Sequence, residues 1–223
     1  MSKIATLLSA VLCASLSGAT EINLSFRAVA SNTGLSLDSS FGGAAERAGF
    51  WNILSTSSGS TQLSMLNGQS GPSFNWISGN SGYITVSSAE TGGINLLLTS
   101  NFIQYPTYSF SLTGLGNGTY SFYYYSFTRG DIPTGQLLVN GVTGSQVVGR
   151  GESVTGPLTL GVDYGVVNVD VTGGTLNVSA NSLSSWVGLA GFQLVAVPEP
   201  STYGLVLGGL VLGIAACRRR RPG

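Results

Sequence analysis

The stretch Thr107-Tyr108-Ser109-Phe110-Ser111-Leu112-Thr113 alternates polar and apolar side chains without a break. A period of two is typical of a half-buried β-strand that turns one face to water. The same alternation returns over 167–171, where valines flank Asn168 and Asp170, and again over 176–180. Each of these segments is therefore predicted to be a strand that buries one face and leaves the other in solvent.

The segments between the predicted strands carry turn signals. Glycine and asparagine cluster at 114–118, at Asn140-Gly141 and at Gly173-Gly174, in a chain with 33 glycines among its 223 residues. From Glu21 to Val197 the sequence shows no long amphipathic helix. Two packed sheets bury one face of many short strands, so the predicted fold class is all-β, an antiparallel β-sandwich of the jelly-roll type.

Composition restricts the chemistry that this region can perform. The chain has no histidine, and its two cysteines, Cys13 and Cys217, lie in apolar terminal segments. The central region therefore contains no Cys/His zinc site, no disulfide and no Cys or His nucleophile–base pair, and no cofactor or metal is expected. Four arginines and eight acidic residues between Thr20 and Val197 give that region a net charge of −4. Nucleic-acid binding needs a basic face to neutralise phosphates, so we expect none.

The first 19 residues follow the pattern of a secretory signal peptide. Lys3 gives a positive start, and a mostly apolar run from Ile4 to Leu16 follows it. Small residues, Ser17-Gly18-Ala19, then occupy the positions before a cut. The sequence predicts a signal helix over 1–19, cleavage after Ala19, and an exported domain over 20–197.

The last 26 residues, 198–223, contain three parts in order. Pro198, Glu199 and Pro200 form a neck, because proline cannot continue a strand ladder. An uncharged run of 17 residues, 201–217, is predicted to be a transmembrane helix; it would span roughly 25 Å, the short end of what crosses a bilayer. The basic cluster that follows is predicted to stay cytoplasmic as an anchor and consists of Arg218, Arg219, Arg220 and Arg221.

This order of neck, apolar helix and arginine cluster resembles the PEP-CTERM sorting domain. The matching residues are Val197-Pro198-Glu199-Pro200-Ser201-Thr202-Tyr203, the Gly/Leu/Val run to Ala216, and the terminal arginines. The resemblance implies a bacterial protein that is exported and recognised by an exosortase, a membrane-embedded protease-transferase. It implies removal of the tail and display at the cell surface or in the extracellular matrix. The alternative is a permanently anchored single-span membrane protein.

A second resemblance concerns the exported domain. Three short segments are similar to motifs of malectin-like and galactose-binding-like jelly rolls. The stretch 114–120, which leads into an aromatic strand, resembles their hairpin entry, and Leu138-Val139-Asn140-Gly141 resembles their V-N-G hairpin. The segment 186–194 resembles their closing strand. This resemblance implies the same fold. It also implies carbohydrate as a candidate partner, without assigning any residue to its binding.

One predicted strand carries aromatic side chains on both faces. The first interpretation is a central strand with a loop packed over its outer face. The second is a ligand face, on which aromatic rings stack against a sugar ring and neighbouring polar groups bind its hydroxyls. The residues of this candidate face are Tyr123, Tyr125, Phe127, Arg129 and Asp131. The three tryptophans, Trp51, Trp76 and Trp186, are expected to pack in the core or at its rim.

The sequence favours a non-catalytic bacterial surface or matrix protein that is sorted through its C-terminal tail and binds extracellular polysaccharide or packs against it. The alternative is a secreted glycan hydrolase or lyase that uses Asp, Glu or Tyr. A glycosidase needs two carboxylates about 5–10 Å apart. No spacing of the eight acids in this region points to such a pair, so no catalytic residue is assigned.

Overall fold

A computed structural model describes residues 20–26, 37, 39–54, 59–78, 83–85, 101–105, 108–125, 136–148, 157–181 and 187–198. Residues Thr20–Ala196 form one compact unit. The predicted signal peptide with its cut after Ala19, and the tail from Glu199 onward, lie outside the described residues. In the described part of the chain no helix is long and apolar enough to cross a membrane.

The described residues are dominated by short strands. They are β1 (Ile22–Phe26), β2 (Trp51–Leu54), β3 (Ser60–Ser64), β4 (Ser70–Ser78), β5 (Tyr83–Thr85), β6 (Asn101–Tyr105), β7 (Ser109–Thr113), β8 (Gly118–Tyr125), β9 (Gln136–Val139), β10 (Val142–Thr143), β11 (Tyr164–Val171), β12 (Thr175–Asn181), β13 (Val187–Leu189) and β14 (Gly191–Ala196).

Two large sheets form the domain. Sheet A has the order β11-β8-β14-β1-β2, and sheet B has the order β10-β9-β12-β7-β4-β3. From β7 to β12 the chain passes repeatedly from one sheet to the other, which confirms the predicted all-β sandwich of the jelly-roll type. Two features were not predicted. Strand β2 runs parallel to β1, and a third sheet of order β13-β6-β5 is present.

The predicted alternation determines which side chains enter the core. Strand β7 buries Phe110 and Leu112 completely. Strand β11 buries Val167, Val169 and Val171 and exposes Asn168 and Asp170. Aromatic rings from both sheets meet between them, since Phe192 of sheet A stacks on Phe110 of sheet B with centroids 5.7 Å apart. The apolar faces of the two sheets therefore form one shared core, which supplies most of the free energy of folding.

The segment 114–118 joins the two sheets, so the hairpin entry that the resemblance implied is not what the structure shows. Strand β7 lies in sheet B and β8 in sheet A. The Tyr120 hydroxyl donates to the carbonyl of Gly116 at 3.0 Å, across four residues. This is the geometry of a tyrosine corner, in which a hydroxyl at the start of a strand fixes the preceding crossover.

A true hairpin turn lies at Asn140-Gly141, between β9 and β10. Asn140 has φ = 47° and Gly141 has φ = 79°. Two consecutive left-handed residues are the requirement of a type I′ turn, whose twist matches that of the paired strands. The predicted V-N-G hairpin is therefore present.

Candidate functional site

The predicted ligand face begins on β8, and the structure shows what lies over it. Residues 39–50, here called the cover segment, pack on the outer face of sheet A; the Gly49 N–H donates to the Ser39 carbonyl at 2.7 Å and closes the segment. Tyr125 is 0 % exposed and packs in a small apolar cluster with Leu37, Trp51 and Ala190. The ring of Tyr125 therefore has no free face on which a sugar could stack, which corrects its place in the predicted ligand face.

Three buried polar side chains, those of Gln193, Tyr125 and Asn23, form hydrogen bonds to the cover segment. Gln193, on β14, is 0 % exposed. Its amide nitrogen donates to Asn23 Oδ1 at 2.8 Å and to the Gly42 carbonyl at 2.9 Å. Its oxygen accepts from the Ala45 N–H at 3.1 Å and from the Tyr125 hydroxyl. Gln193 thus joins two strands of sheet A to two points of the segment above them.

The hydroxyl of Tyr125 has partners on both sides. It donates to Gln193 and accepts from the Ala44 N–H at 2.7 Å. Burial raises its pKa well above the ordinary value of a tyrosine, an effect that the hydrogen bond from Ala44 partly opposes. The group therefore stays protonated and keeps its role as a donor throughout the physiological pH range.

Asn23 and Asn52 extend the same network towards the edge of the sheet. The Asn23 amide donates to the Arg47 carbonyl at 2.9 Å. The Asn52 amide donates to the carbonyls of Asn23 and Ser64, at 3.0 and 2.8 Å, and its oxygen accepts from the Ser64 N–H at 2.8 Å. These hydrogen bonds link β1, β2 and β3. Asn23 lies on the covered face of sheet A, whereas Asn52 aligns with Leu24 on the core face and joins β2 to Ser64 of sheet B. The network is a structural clamp with its hydrogen-bonding capacity used inside the protein.

The rest of the predicted ligand face divides into two parts. Tyr123 is half-buried, and its ring lies 6.2 Å from that of Tyr164 on the neighbouring strand. Phe127, Arg129 and Asp131 lie outside the described residues. Tyr123 is thus the member that the structure leaves partly exposed, and the ligand face beyond it stays a prediction.

The described acidic residues show no arrangement for acid–base catalysis. Glu21 pairs with Arg47 at 3.7 Å, and a carboxylate oxygen of Asp163 accepts from the Thr159 N–H at 2.7 Å. Asp170 accepts from the Thr119 hydroxyl at 2.7 Å on the outer face of sheet A. Among the described residues no three Asp, Glu, Cys or His side chains are grouped as a metal site would need. Each of these three acids therefore has a local structural role.

Two of the three tryptophans can be placed. The Trp51 indole nitrogen donates to the Phe41 carbonyl at 3.0 Å and its ring stacks on that of Phe41, so it anchors the cover segment. Trp76 packs against the core beside Phe74, with ring centroids 5.1 Å apart. Both therefore have the packing role that the sequence suggested, and Trp186 lies outside the described residues.

At the C-terminal end of the sandwich the chain leaves the sheet abruptly. Ala196, the last residue of β14, aligns with Tyr120 of β8. Val197 and Pro198 follow and are exposed. The family model described as the PEP-CTERM protein-sorting motif matches residues 196–221. The chain carries a PEP-CTERM sorting motif.

The PEP-CTERM motif gives the route of the protein. It marks export through the membrane to the cell surface or the extracellular space, and it implies processing by an exosortase, which is a membrane enzyme. The match starts on the last residue of β14, so the motif follows a completed sandwich. Pro198 of the predicted neck lies in the described part of the chain, whereas Glu199, Pro200 and the arginine cluster lie outside it.

Comparison with solved structures finds distant likenesses. Protein YXIM from Bacillus subtilis is 12% identical, with a TM-score of 0.44 over 79% of this chain and 40% of that chain. The CBM35 from Cellvibrio japonicus Abf62 is 16% identical, with a TM-score of 0.34 over 56% of this chain and 94% of that one. Bacteroides uniformis beta-glucuronidase 2 is 13% identical, with a TM-score of 0.43 over 80% of this chain and 18% of that one.

The chain thus spans less than half the length of the Bacillus subtilis structure. Likeness at this level does not carry a ligand or an activity from one protein to another. No curated protein sequence matches the chain.

The buried clamp is what sequence reasoning missed. In Ile22-Asn23-Leu24-Ser25-Phe26 the alternation predicts that Asn23 and Ser25 face water, yet they are 0 and 3 % exposed. The cover segment lies over Asn23, whose amide donates to the Arg47 carbonyl in place of water. The predicted loop over the aromatic strand was the one signal in the sequence that could have indicated the clamp. A loop that covers the outer face of a sheet excludes water, so the polar residues on that face must form hydrogen bonds inside the protein.

Proposed function

We propose that the protein is a non-catalytic component of the bacterial cell surface or extracellular matrix, an exported β-sandwich that an exosortase releases from its PEP-CTERM tail. The observation that carries the proposal is the position of the motif. It begins at Ala196, where β14 ends. A cut beyond Pro198 would remove no residue that either large sheet buries.

The chemistry of the domain supports a binding or structural role over catalysis. The sequence offers no histidine, and three of the described acids, Glu21, Asp163 and Asp170, have local backbone or side-chain partners. The region beneath the cover segment is filled by side chains, and their polar atoms bind one another and the segment's backbone. The proposal therefore assigns no catalytic residue.

The outer face of sheet B is the surface that best suits a neutral polymer. Its strands align uncharged polar side chains in rows, since Asn75 and Asn177 both face Ser111, and Ser73 and Thr175 both face Thr113. Hydroxyl and amide groups both donate and accept hydrogen bonds, as sugar hydroxyls do. These rows contain no charged residue, so an anionic polysaccharide would find no counter-charge there. We infer a neutral polysaccharide as the partner of this face.

The experiment is retention of residues 20–198 on insoluble neutral and anionic polysaccharides, with a glycan array beside it. The variant Asn177→Arg places a long charged side chain on the exposed outer face of sheet B. Asn168→Arg is the matched control, because Asn168 is exposed on sheet A. We expect retention on a neutral polysaccharide that the first variant loses and the control keeps. Absence of retention on every glycan would refute the carbohydrate part, and release of reducing ends by the pure domain would refute the non-catalytic part.

A further inference from the structure

The first and the last residues of the sandwich lie at the same end of sheet A. Strands β1 and β14 are antiparallel neighbours, and Ile22 aligns with Leu194. The start of β1 and the end of β14 therefore meet at one edge of the domain. We call this end the neck pole and define it by Thr20, Ala196 and the turns 66–69, 114–118 and 172–174.

Hydrogen bonds tie these turns to the strand ends beside them. The Leu66 N–H donates to the Glu21 carbonyl at 3.2 Å. The Gly174 N–H donates to the side-chain oxygen of Asn117 at 3.2 Å, and the Gly174 carbonyl accepts from Gly114 and Leu115 at 3.0 Å. The neck pole is thus a fixed surface of short turns. None of the three turns contains a charged residue, so anionic lipid headgroups would not repel them.

Strand β14 cannot leave the sheet while the domain is folded. It lies between β8 and β1, and its pairing with β8 continues to Ala196. Phe192 and Leu194 are 0 % exposed in the core, and Gln193 is fixed in the clamp on the other face. Withdrawing the strand would remove both faces from their partners and unfold the sandwich.

The distance between the locked strand and the sorting motif is correspondingly short. Only Val197 lies between Ala196 and Pro198. An extended chain advances about 3.3–3.6 Å per residue, so the two residues after Ala196 reach roughly 7 Å. An enzyme that binds Pro198-Glu199-Pro200 must therefore approach the neck pole to within that distance.

We infer that the processing enzyme acts on the folded sandwich and that the neck pole is the surface of the domain that meets it at the membrane. This inference rests on the proposed removal of the tail. It adds the order of events, with folding before the cut, and it names the face of the domain that the membrane enzyme must accommodate. It also places the opposite end of the sandwich, where β1 ends at Phe26 and β8 at Tyr125, away from the enzyme.

The test uses the full chain in cells that contain the exosortase and follows removal of the tail by pulse–chase and mass spectrometry. A small folded domain is inserted between Asn67 and Gly68, in an exposed turn of the neck pole. The same insertion between Gly161 and Val162, in a turn beside the start of β11 at the opposite end, is the matched control. A third variant combines the Asn67 insertion with ten flexible residues added between Val197 and Pro198.

We expect the neck-pole insertion to slow tail removal several-fold, the opposite insertion to leave the rate unchanged, and the longer neck to restore the rate. Resistance of the exported domain to protease shows in each case that the sandwich has folded. An unchanged rate for the neck-pole insertion would overturn the inference, and so would a slow rate that the longer neck does not restore. A wild-type chain that keeps its tail would instead contradict the proposed processing itself.

Discussion

The substitution Gln193→Met tests whether the buried clamp holds the cover segment. Methionine has nearly the shape of glutamine but lacks its amide, so the change removes hydrogen bonds without leaving a large cavity. Four partners lose Gln193: Asn23 Oδ1, the Gly42 carbonyl, the Ala45 N–H and the Tyr125 hydroxyl. The question is how many of them can find water instead.

The loss in the free energy of unfolding follows from the exposure of those partners. Gly42 and Ala45 are half-buried in the cover segment and can turn to solvent at small cost. Asn23 and Tyr125 are 0 % exposed and cannot. A buried polar group left without a partner costs about 1–3 kcal/mol, so two of them give roughly 2–6 kcal/mol. That is a large part of the 5–15 kcal/mol typical of a domain's stability.

The assay is urea unfolding of residues 20–198, followed by tryptophan fluorescence, together with limited trypsin digestion. Arg47 is an exposed trypsin site in the cover segment, whose carbonyl accepts from Asn23. The variant should therefore be cut faster at Arg47 as well as unfold at lower urea. Gln146→Met makes the same chemical change at an exposed position and should shift stability by less than about 0.5 kcal/mol. A Gln193→Met variant as stable as that control, with Arg47 equally protected, would refute the clamp.

Three further predictions concern buried tyrosines and one close-packed glycine. The Tyr108 hydroxyl is buried without a hydrogen-bond partner among the described residues. Tyr108→Phe should therefore raise the free energy of unfolding by about 1 kcal/mol, measured as a higher urea midpoint. A loss of stability would show that the hydroxyl has a hydrogen-bond partner. Burial raises the pKa of Tyr108, Tyr124 and Tyr125, so their contribution to the free energy of unfolding is complete below the unfolded-state pKa of about 10 and is lost as the pH rises above it. Absorbance at 295 nm should show these phenols ionising only when the domain unfolds. Reversible ionisation in the folded domain would contradict this prediction. A Cβ at Gly165 would lie 2.7 Å from Cε2 of Tyr124 and closer still to Cζ of the same ring, so Gly165→Ala should cost about 1–3 kcal/mol in thermal unfolding. The control Gly116→Ala, with 3.5 Å to its nearest neighbour, should cost less, and equal losses would refute the clash.

Sequence periodicity predicted the sandwich because its strands have one wet face and one buried face. Strands β7, β11 and β12 follow that rule, so their inward residues were assigned correctly from alternation alone. The type I′ turn at Asn140-Gly141 was also predictable from the sequence, because Asn and Gly are the residues that most readily adopt two successive left-handed conformations. Local rules succeed where the structure depends on neighbours in the chain.

The clamp and the crossover at 114–118 depend on distant partners, which local patterns do not specify. Gln193 lies 148 residues from Ala45 and 170 from Asn23, so no spacing in the sequence links them. Glycine-rich turns look alike whether they return within a sheet or cross to another, and the tyrosine corner of Tyr120 became visible only with its partner Gly116 in place. Of the predicted ligand face, Tyr125 was misplaced because its cover comes from residues some 80 positions earlier in the chain.

The intact mass of the mature protein, recovered from the cell surface or the medium, shows whether the sorting tail has been removed. We expect a chain that begins near Thr20 and ends within or just beyond Pro198-Glu199-Pro200, without Arg218–Arg221. A mature protein that still contains the apolar segment 201–217 and the four arginines would contradict processing through the PEP-CTERM motif. The sandwich would then be the outer part of a permanently anchored membrane protein.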